Sequence, residues 1–348
     1  MDPWFWQHSL TFMMFPVCKR PGTVFFLDDE PAYLEMIADV LPSDWDLRLF
    51  CHPEVCLTAM KHQMVQSDAD VWCHREILER WRSGHSLVSG VLQYWRRDGI
   101  RRYGLGRVWV VDYTMPAMNG LQAVQAARSV PVTTVLLTGR ADEHIAIGGF
   151  NAGLIDQYIP KQANDIADRL VKLVEMELNK APSVLAPIWH QSLNREQLKV
   201  LSDRTVAQAL DDLVREQNWI EYVLIGQPFG LLALDGDGSA YWMQLELSEG
   251  LGDLAELARL HGIEESLVML VEAGSALFDI ELRLSLAEIG GRIHPAGRLG
   301  VGASAPVYSV QALGNDLSPG FMSSLARYRD VRASRAIEHV PDNHSCLL

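Results

Sequence analysis

The stretch VWVVDYTMPAMNG, from Val108 to Gly120, constrains the fold of this chain more than any other. Its first four residues read as a buried strand, and Asp112 stands where that strand must end. Met115-Pro116 and Asn119-Gly120 then punctuate the chain and open a helix. Other segments repeat the design. TVFFL, Thr23 to Leu27, runs into Asp28 and Asp29. VTTVLLT closes on Thr138, and the short run Asp156 to Ile159 leads to Pro160 and Lys161. DLRLF, Asp46 to Phe50, alternates as a further strand. Helical patterns lie between them at 32–41, from Pro53, at 119–128, at 141–150 and at 164–179. Strands alternating with helices predict an α/β unit, a doubly wound five-stranded parallel sheet covered on both faces. In such sheets function gathers at the carboxyl ends of the strands. Asp28, Asp29, Asp112, Thr138 and Lys161 all fall there.

The order Asp-Asp, Asp, Thr, Lys with these flanks resembles the receiver domain of two-component response regulators, over roughly 22–180. The resemblance implies a flavodoxin-like fold and a phosphoacceptor at Asp112. It implies Mg²⁺ held by Asp28, Asp29, Asp112 and the backbone carbonyl of Thr114. Lys161 and Thr138 would then meet the phosphoryl oxygens, and Tyr158 would be the aromatic that turns inward on phosphorylation. The expected phosphodonor partner is a sensor histidine kinase or a phosphotransfer protein. The residue types suit the chemistry. A carboxylate attacking a phosphoryl group faces like-charge repulsion, which a hard cation on oxygen ligands removes. An ammonium and a hydroxyl then supply donors to the phosphoryl oxygens. One departure is local: receivers place Pro after the lysine, whereas here Pro160 precedes Lys161 and Gln162 follows.

A chain of 348 residues, 48% apolar, has material for two or three cores. Five cysteines without paired spacing predict a reducing compartment. A zinc site of Cys51, Cys56, Cys73 and His74 would match no common ligand spacing. The N-terminal stretch lacks the basic start of a signal peptide, and Cys346 stands third from the end, where a prenylation box needs it fourth. With no apolar run long enough for a membrane span, the expectation is a cytoplasmic protein without a membrane partner.

Receivers pass quickly from their second strand to the phosphoacceptor strand. Here about 40 residues intervene, too many for a structureless loop, so one or two extra helices are expected within about 61–107. That insertion carries Trp72, Trp81, Trp95 and an arginine cluster of Arg96, Arg97, Arg101, Arg102 and Arg107. It reads as a packing decoration with a solvated basic face, as a dimer or partner surface, or as a nucleic-acid contact.

The expected division is an N-terminal extension at 1–21, a receiver at 22–180, a linker at 181–187 and a C-terminal α+β output domain at 188–348. In the last part a helical region at 195–217 precedes three strands, WIEYVLI, FGLLALD and SAYWMQLE. Asp235 to Gly238, DGDG, predicts a hairpin turn; a calcium loop would need other ligand spacing. Helices are expected at 252–261, 264–277 and 281–288, then an irregular Gly/Pro/Ser-rich tail and a short helix at 323–335.

Residues 181–348 carry 12 basic and 22 acidic side chains, a net charge of −10 within a chain of net −14. Nucleic-acid binding rests on phosphate neutralisation, which this half is poorly charged to provide. A DNA-binding regulator using 195–219 is the alternative output, and a nucleotide-binding or enzymatic output is a third. No recognised catalytic motif marks an enzyme there. The whole architecture is similar to the quorum-sensing response regulators of the Lqs type. It implies an output through protein contacts or a phosphorylation-dependent homodimer.

Overall fold

The computed structural model describes residues 14–139 and 143–338. Cys346 and most of the N-terminal extension lie outside them. Two compact units are present. One comprises Arg20–His74, Ile100–Val184 and the chain from Leu325; the other comprises the chain up to Lys19, Arg75–Gly99 and Leu185–Ser324. The chain therefore crosses between units more often than a linear division at 181–187 supposes.

In the first unit five parallel strands lie in the order Asp46–Phe50, Thr23–Leu27, Gly106–Asp112, Thr133–Thr138, Gln157–Pro160. Side chains alternate across the sheet, as a strand requires. Val24, Phe26, Val108, Val110, Val135 and Leu137 pack on one face with Leu34, Ile37, Leu170 and Val174 from the helices Pro31–Val40 and Ile166–Asn179. Phe25, Leu27, Trp109, Val111 and Leu136 pack on the other with Cys56, Met60, Ala123, Val124 and Ala146. Both faces are covered, so the strands read as continuous apolar runs.

The edge strand Asp46–Phe50 would expose unpaired backbone groups. The helix Leu325–Glu338 belongs to this unit and meets that strand. The hydroxyl of Tyr328 donates to Asp46 Oδ2 at 2.7 Å, Arg332 Nε donates to Asp46 Oδ1 at 3.1 Å, and a second Arg332 nitrogen donates to the Leu47 carbonyl at 3.2 Å. The sequence expectation placed this helix with the output domain.

The insertion is helical, as its length required. The helix from Pro53 runs 30 residues to Arg82, and a second spans Leu87–Asp98 with Ser86 as its N-cap. Its arginines do not form one basic face. Arg102 is buried, and Arg96 donates to the Asp316 carbonyl. Arg107 closes the C-terminus of the Ile166–Asn179 helix, donating to the carbonyls of Glu177 at 2.9 Å and Lys180 at 2.8 Å, with a further bond to Arg20 O at 3.2 Å. A cation there answers both the orphan carbonyls and the negative end of the helix dipole. Arg107→Ala is expected to lower stability by about 1–3 kcal/mol, read as a lowered urea midpoint; an unchanged midpoint would count against this capping role.

The second unit is built on an antiparallel sheet ordered Cys18–Lys19, Glu221–Gly226, Phe229–Leu234, Ala240–Glu246, Val307–Ala312, Gly297–Arg298. Asp235 organises the tight turn between the third and fourth of these, accepting from the N–H groups of Asp237 at 3.0 Å and Ser239 at 2.9 Å, with Gly238 at φ 85°. Trp95 is fully buried and donates its indole N–H to Glu221 at 3.0 Å, so the Leu87–Asp98 helix is part of this unit's core. Two expectations fail, and one element was not foreseen. The helix foreseen at 264–277 ends at Glu272, because Gly274 adopts φ 68°, and Ala276–Phe278 is a strand paired with Ile293–Pro295. The tail contributes Val307–Ala312 to the main sheet. Cys18–Lys19 is its edge strand.

Candidate functional site

Asp28, Asp29, Asp112, Thr138 and Lys161 stand at or just past the carboxyl ends of parallel strands, whereas Tyr158 lies within the last strand, Gln157–Pro160. The register pairs Leu27 with Val111, Asp112 with Leu137 and Thr138 with Pro160, so the strand ends are level. Lys161 lies one residue beyond, its N–H donating to the Thr138 carbonyl at 2.8 Å.

Lys161 Nζ is 2.6 Å from Asp28 Oδ2 and 3.0 Å from Asp112 Oδ1. Asp28 Oδ1 accepts from the Glu30 N–H at 3.1 Å, and the Thr114 N–H donates to the Asp112 carboxylate. Carboxylate oxygens of Asp28, Asp29 and Asp112 lie within 4.8 Å of one another, the one such group of metal-binding side chains among the described residues. Asp28 and Asp112 are buried, and Asp29 is open to solvent. An octahedral Mg²⁺ with oxygens at about 2 Å separates its neighbouring ligands by about 3 Å and its opposite ones by about 4 Å. Carboxylate oxygens within 4.8 Å of one another lie near that span, and the all-oxygen donor set suits a hard cation. Cys51 and Cys56 pack on opposite faces of the sheet, which keeps the residues of a Cys51, Cys56, Cys73, His74 zinc site apart.

Burial pushes the Asp28 and Asp112 carboxyls above their ordinary values, against the pull of Lys161. Burial works against the Lys161 ammonium, but Asp28 and Asp112 outweigh it and hold its pKa above the ordinary value. Negative charge thus exceeds positive charge in a partly desolvated site, the electrostatic setting that draws in a divalent cation.

The site is closed in by backbone. A Cβ at Gly120 would overlap the Asp112 carbonyl oxygen and lie 3.0 Å from its carbonyl carbon, so the helix Gly120–Ala126 starts directly against the strand end. Asn119 caps that helix, accepting from Gln122 N at 2.9 Å while the Gln122 side chain accepts from Asn119 N at 2.9 Å. In the intervening loop Ala117 sits at φ 67°, and the Met118 N–H reaches Pro116 O at 2.8 Å. That is a γ-turn at a non-glycine residue, a strained conformation of the sort found beside functional groups.

Thr138 is buried, and its hydroxyl has no hydrogen-bond partner among the described residues. Tyr158, opposite Leu136 in the register, is half-buried against the Phe25–Trp109 core. Tyr33 did not figure in the sequence reading. Its ring lies 4.6 Å below Lys161 Nζ, and burial together with the charges of Asp28, Asp112 and Glu30 holds its phenol well above the ordinary pKa. The available signal was its place in the first helical turn after Asp28-Asp29.

In the C-terminal unit the helix Arg204–Glu216 buries Val206, Leu210 and Val214, and its exposed face carries Asp211 and Asp212 in ion pairs with Arg215. No helix among the described residues is long and apolar enough to cross a membrane.

No family model and no curated protein matches the chain. The chain is similar to the solved structure of the response regulator LqsR of Legionella pneumophila, with a TM-score of 0.68 and 20% identity, covering 97% of this chain and 100% of that one. The chain therefore shares the fold of LqsR. A response regulator receiver domain protein from Clostridium thermocellum matches 45% of this chain and 94% of its own, with 16% identity and a TM-score of 0.29.

Proposed function

We propose that this chain is a two-component response regulator that accepts a phosphoryl group on Asp112. The carrying observation is the meeting of Asp28, Asp29 and Asp112 with Lys161 at one end of the parallel sheet. Asp28, Asp29, Asp112 and the Thr114 carbonyl would hold Mg²⁺, which when bound neutralises the repulsion between a carboxylate and an incoming phosphoryl group. A carboxylate oxygen of Asp112 attacks phosphorus, and the bond to the donor's histidine nitrogen breaks with its electron pair going to that nitrogen. Lys161, already within 3.0 Å of Asp112, follows the new negative charge, and Thr138 offers its unpartnered hydroxyl. The donor is a sensor histidine kinase or a phosphotransfer protein.

Phosphorylation adds charge and acceptor oxygens at one point. Movement of Thr138 toward them would free space for Tyr158 to turn inward, a local electrostatic event biasing a two-state repacking. The C-terminal unit would then act through protein contacts or self-association. Its net charge disfavours nucleic acid as the partner. The LqsR-like fold supports a response regulator with a comparable output, and the Lqs-type resemblance extends this to quorum sensing.

Incubating the full chain with acetyl phosphate and Mg²⁺ should add one phosphoryl group by intact mass, absent with chelator and absent in Asp112→Asn. A label retained by Asp112→Asn would overturn the assignment of the acceptor. Elution from a sizing column should shift on phosphorylation; unchanged elution would count against self-association.

A further inference from the structure

We propose that the Tyr33 phenol is a third hydrogen-bond donor to the phosphoryl group on Asp112, beside Lys161 and Thr138. The inference rests on the phosphoacceptor reading above and adds a residue to it. Tyr33 is carried in the first turn of the helix Pro31–Val40, whose chain leaves the sheet directly after Asp28 and Asp29. Its ring packs under the Lys161 ammonium at 4.6 Å. Its hydroxyl is buried and bonds to no described residue. An unpaired buried hydroxyl is costly unless something else satisfies it.

Asp28 and Asp112, whose charges act on this phenol, accept no hydrogen bond from it. Asp28 and Asp112 are engaged by Lys161 at 2.6 and 3.0 Å and by backbone N–H groups. Thr138 presents a second buried hydroxyl without a partner. The described part of the site thus holds an ammonium between two buried carboxylates, with two unsatisfied hydroxyls, that of Thr138 at a strand end and that of Tyr33, whose ring lies under the ammonium. A phosphoryl group brings three strong acceptor oxygens. Three donors and three oxygens match in number, and a neutral phenol donates without adding charge.

The ring and the hydroxyl make separable claims. Tyr33→Phe keeps the ring beneath Lys161 and deletes only the donor, whereas Tyr33→Leu deletes both. The test uses the full chain in titration calorimetry, with Mg²⁺ alone and then with beryllium fluoride, a phosphoryl stand-in, at saturating Mg²⁺. In Tyr33→Phe, Mg²⁺ affinity should stay within about twofold while beryllium fluoride affinity falls about tenfold or more, the loss expected for a hydrogen bond to a charged group. Tyr33→Leu should lose more, because Lys161 loses its apolar seat as well. Unchanged beryllium fluoride affinity in Tyr33→Phe would overturn the proposal. So would a parallel fall in Mg²⁺ affinity, which would make Tyr33 scaffolding. If the unmodified chain took up neither probe, the phosphoacceptor reading itself would fail, an outcome recognisable before any variant is made.

Discussion

Gly120→Ala is expected to slow phosphoryl incorporation from acetyl phosphate by about a hundredfold, although it adds one methyl group and touches no reacting atom. The methyl would overlap the Asp112 carbonyl oxygen and sit 3.0 Å from both the Asp112 carbonyl carbon and Leu136 Cδ1. Backbone cannot swing aside as a flexible side chain can. Either the helix Gly120–Ala126 moves off or the end of the Gly106–Asp112 strand moves. A displacement of about 1 Å at a reacting group costs on the order of 10²-fold in rate. Two effects oppose each other in stability. Alanine favours helix by up to about 1 kcal/mol over glycine, while forced overlap in a packed site costs about 1–3 kcal/mol. The overlap should win, and the thermal midpoint should fall. Gly148→Ala is the matched control. It lies in the helix Glu143–Asn151 with nothing within 4 Å of an added Cβ, so its midpoint should rise and its phosphorylation rate should hold. Equal rates for Gly120→Ala and the unmodified chain would show that Asp112 does not depend on this contact.

The parallel unit was legible because its strands are buried on both faces. Such strands need no alternation, so TVFFL and VWVV stand out as plain apolar runs, and the level strand ends place their terminal residues together. The antiparallel unit was legible only in part. Val307–Ala312 turns Val307 and Ser309 inward and places Gln311 on the same side, across from Glu246, Gln244 and Trp242. A strand whose inward face carries Ser and Gln gives no apolar alternation to read. Cys18–Lys19 is too short for any periodicity, and only its pairing with Tyr222 and Val223 defines it. The sequence left Trp95 open between a packing and an interface role, because nothing in its own segment names Glu221, its partner 126 positions away. Tyr33 was missed for a related reason. In sequence it is one aromatic in an amphipathic helix, and the Lys161 beneath which it packs lies far along the chain.

Asp279→Ala is expected to destabilise the C-terminal unit by about 3 kcal/mol or more. Asp279 has no solvent exposure. Its Oδ1 accepts from the Arg292 N–H at 2.5 Å, and its Oδ2 is 2.9 Å from both Arg283 Nε and His294 Nε2. One side chain therefore ties the helix Ile280–Ser285 to the strand Ile293–Pro295. Removing one partner of a buried charged network typically costs about 3–5 kcal/mol, because the other groups stay desolvated. Glu288, 2.5 Å from the Arg283 guanidinium, offsets part of that loss. Burial opposes the Asp279 charge, but His294, the Arg292 N–H and Arg283 together hold its carboxyl below the ordinary value. A depressed folded pKa adds stability above the unfolded pKa of about 3.9 and loses it as pH falls through the folded value. The gap between the unmodified chain and Asp279→Ala should thus be full at neutral pH and narrow below about pH 4. Hydrogen exchange gives the local readout: amides of Ala276–Phe278 and Ile293–Pro295 should lose protection in the variant while Val108–Asp112 keep theirs. A pH-independent gap would mean that Asp279 acts by packing, and unchanged exchange at the hairpin would mean that the ties lie elsewhere.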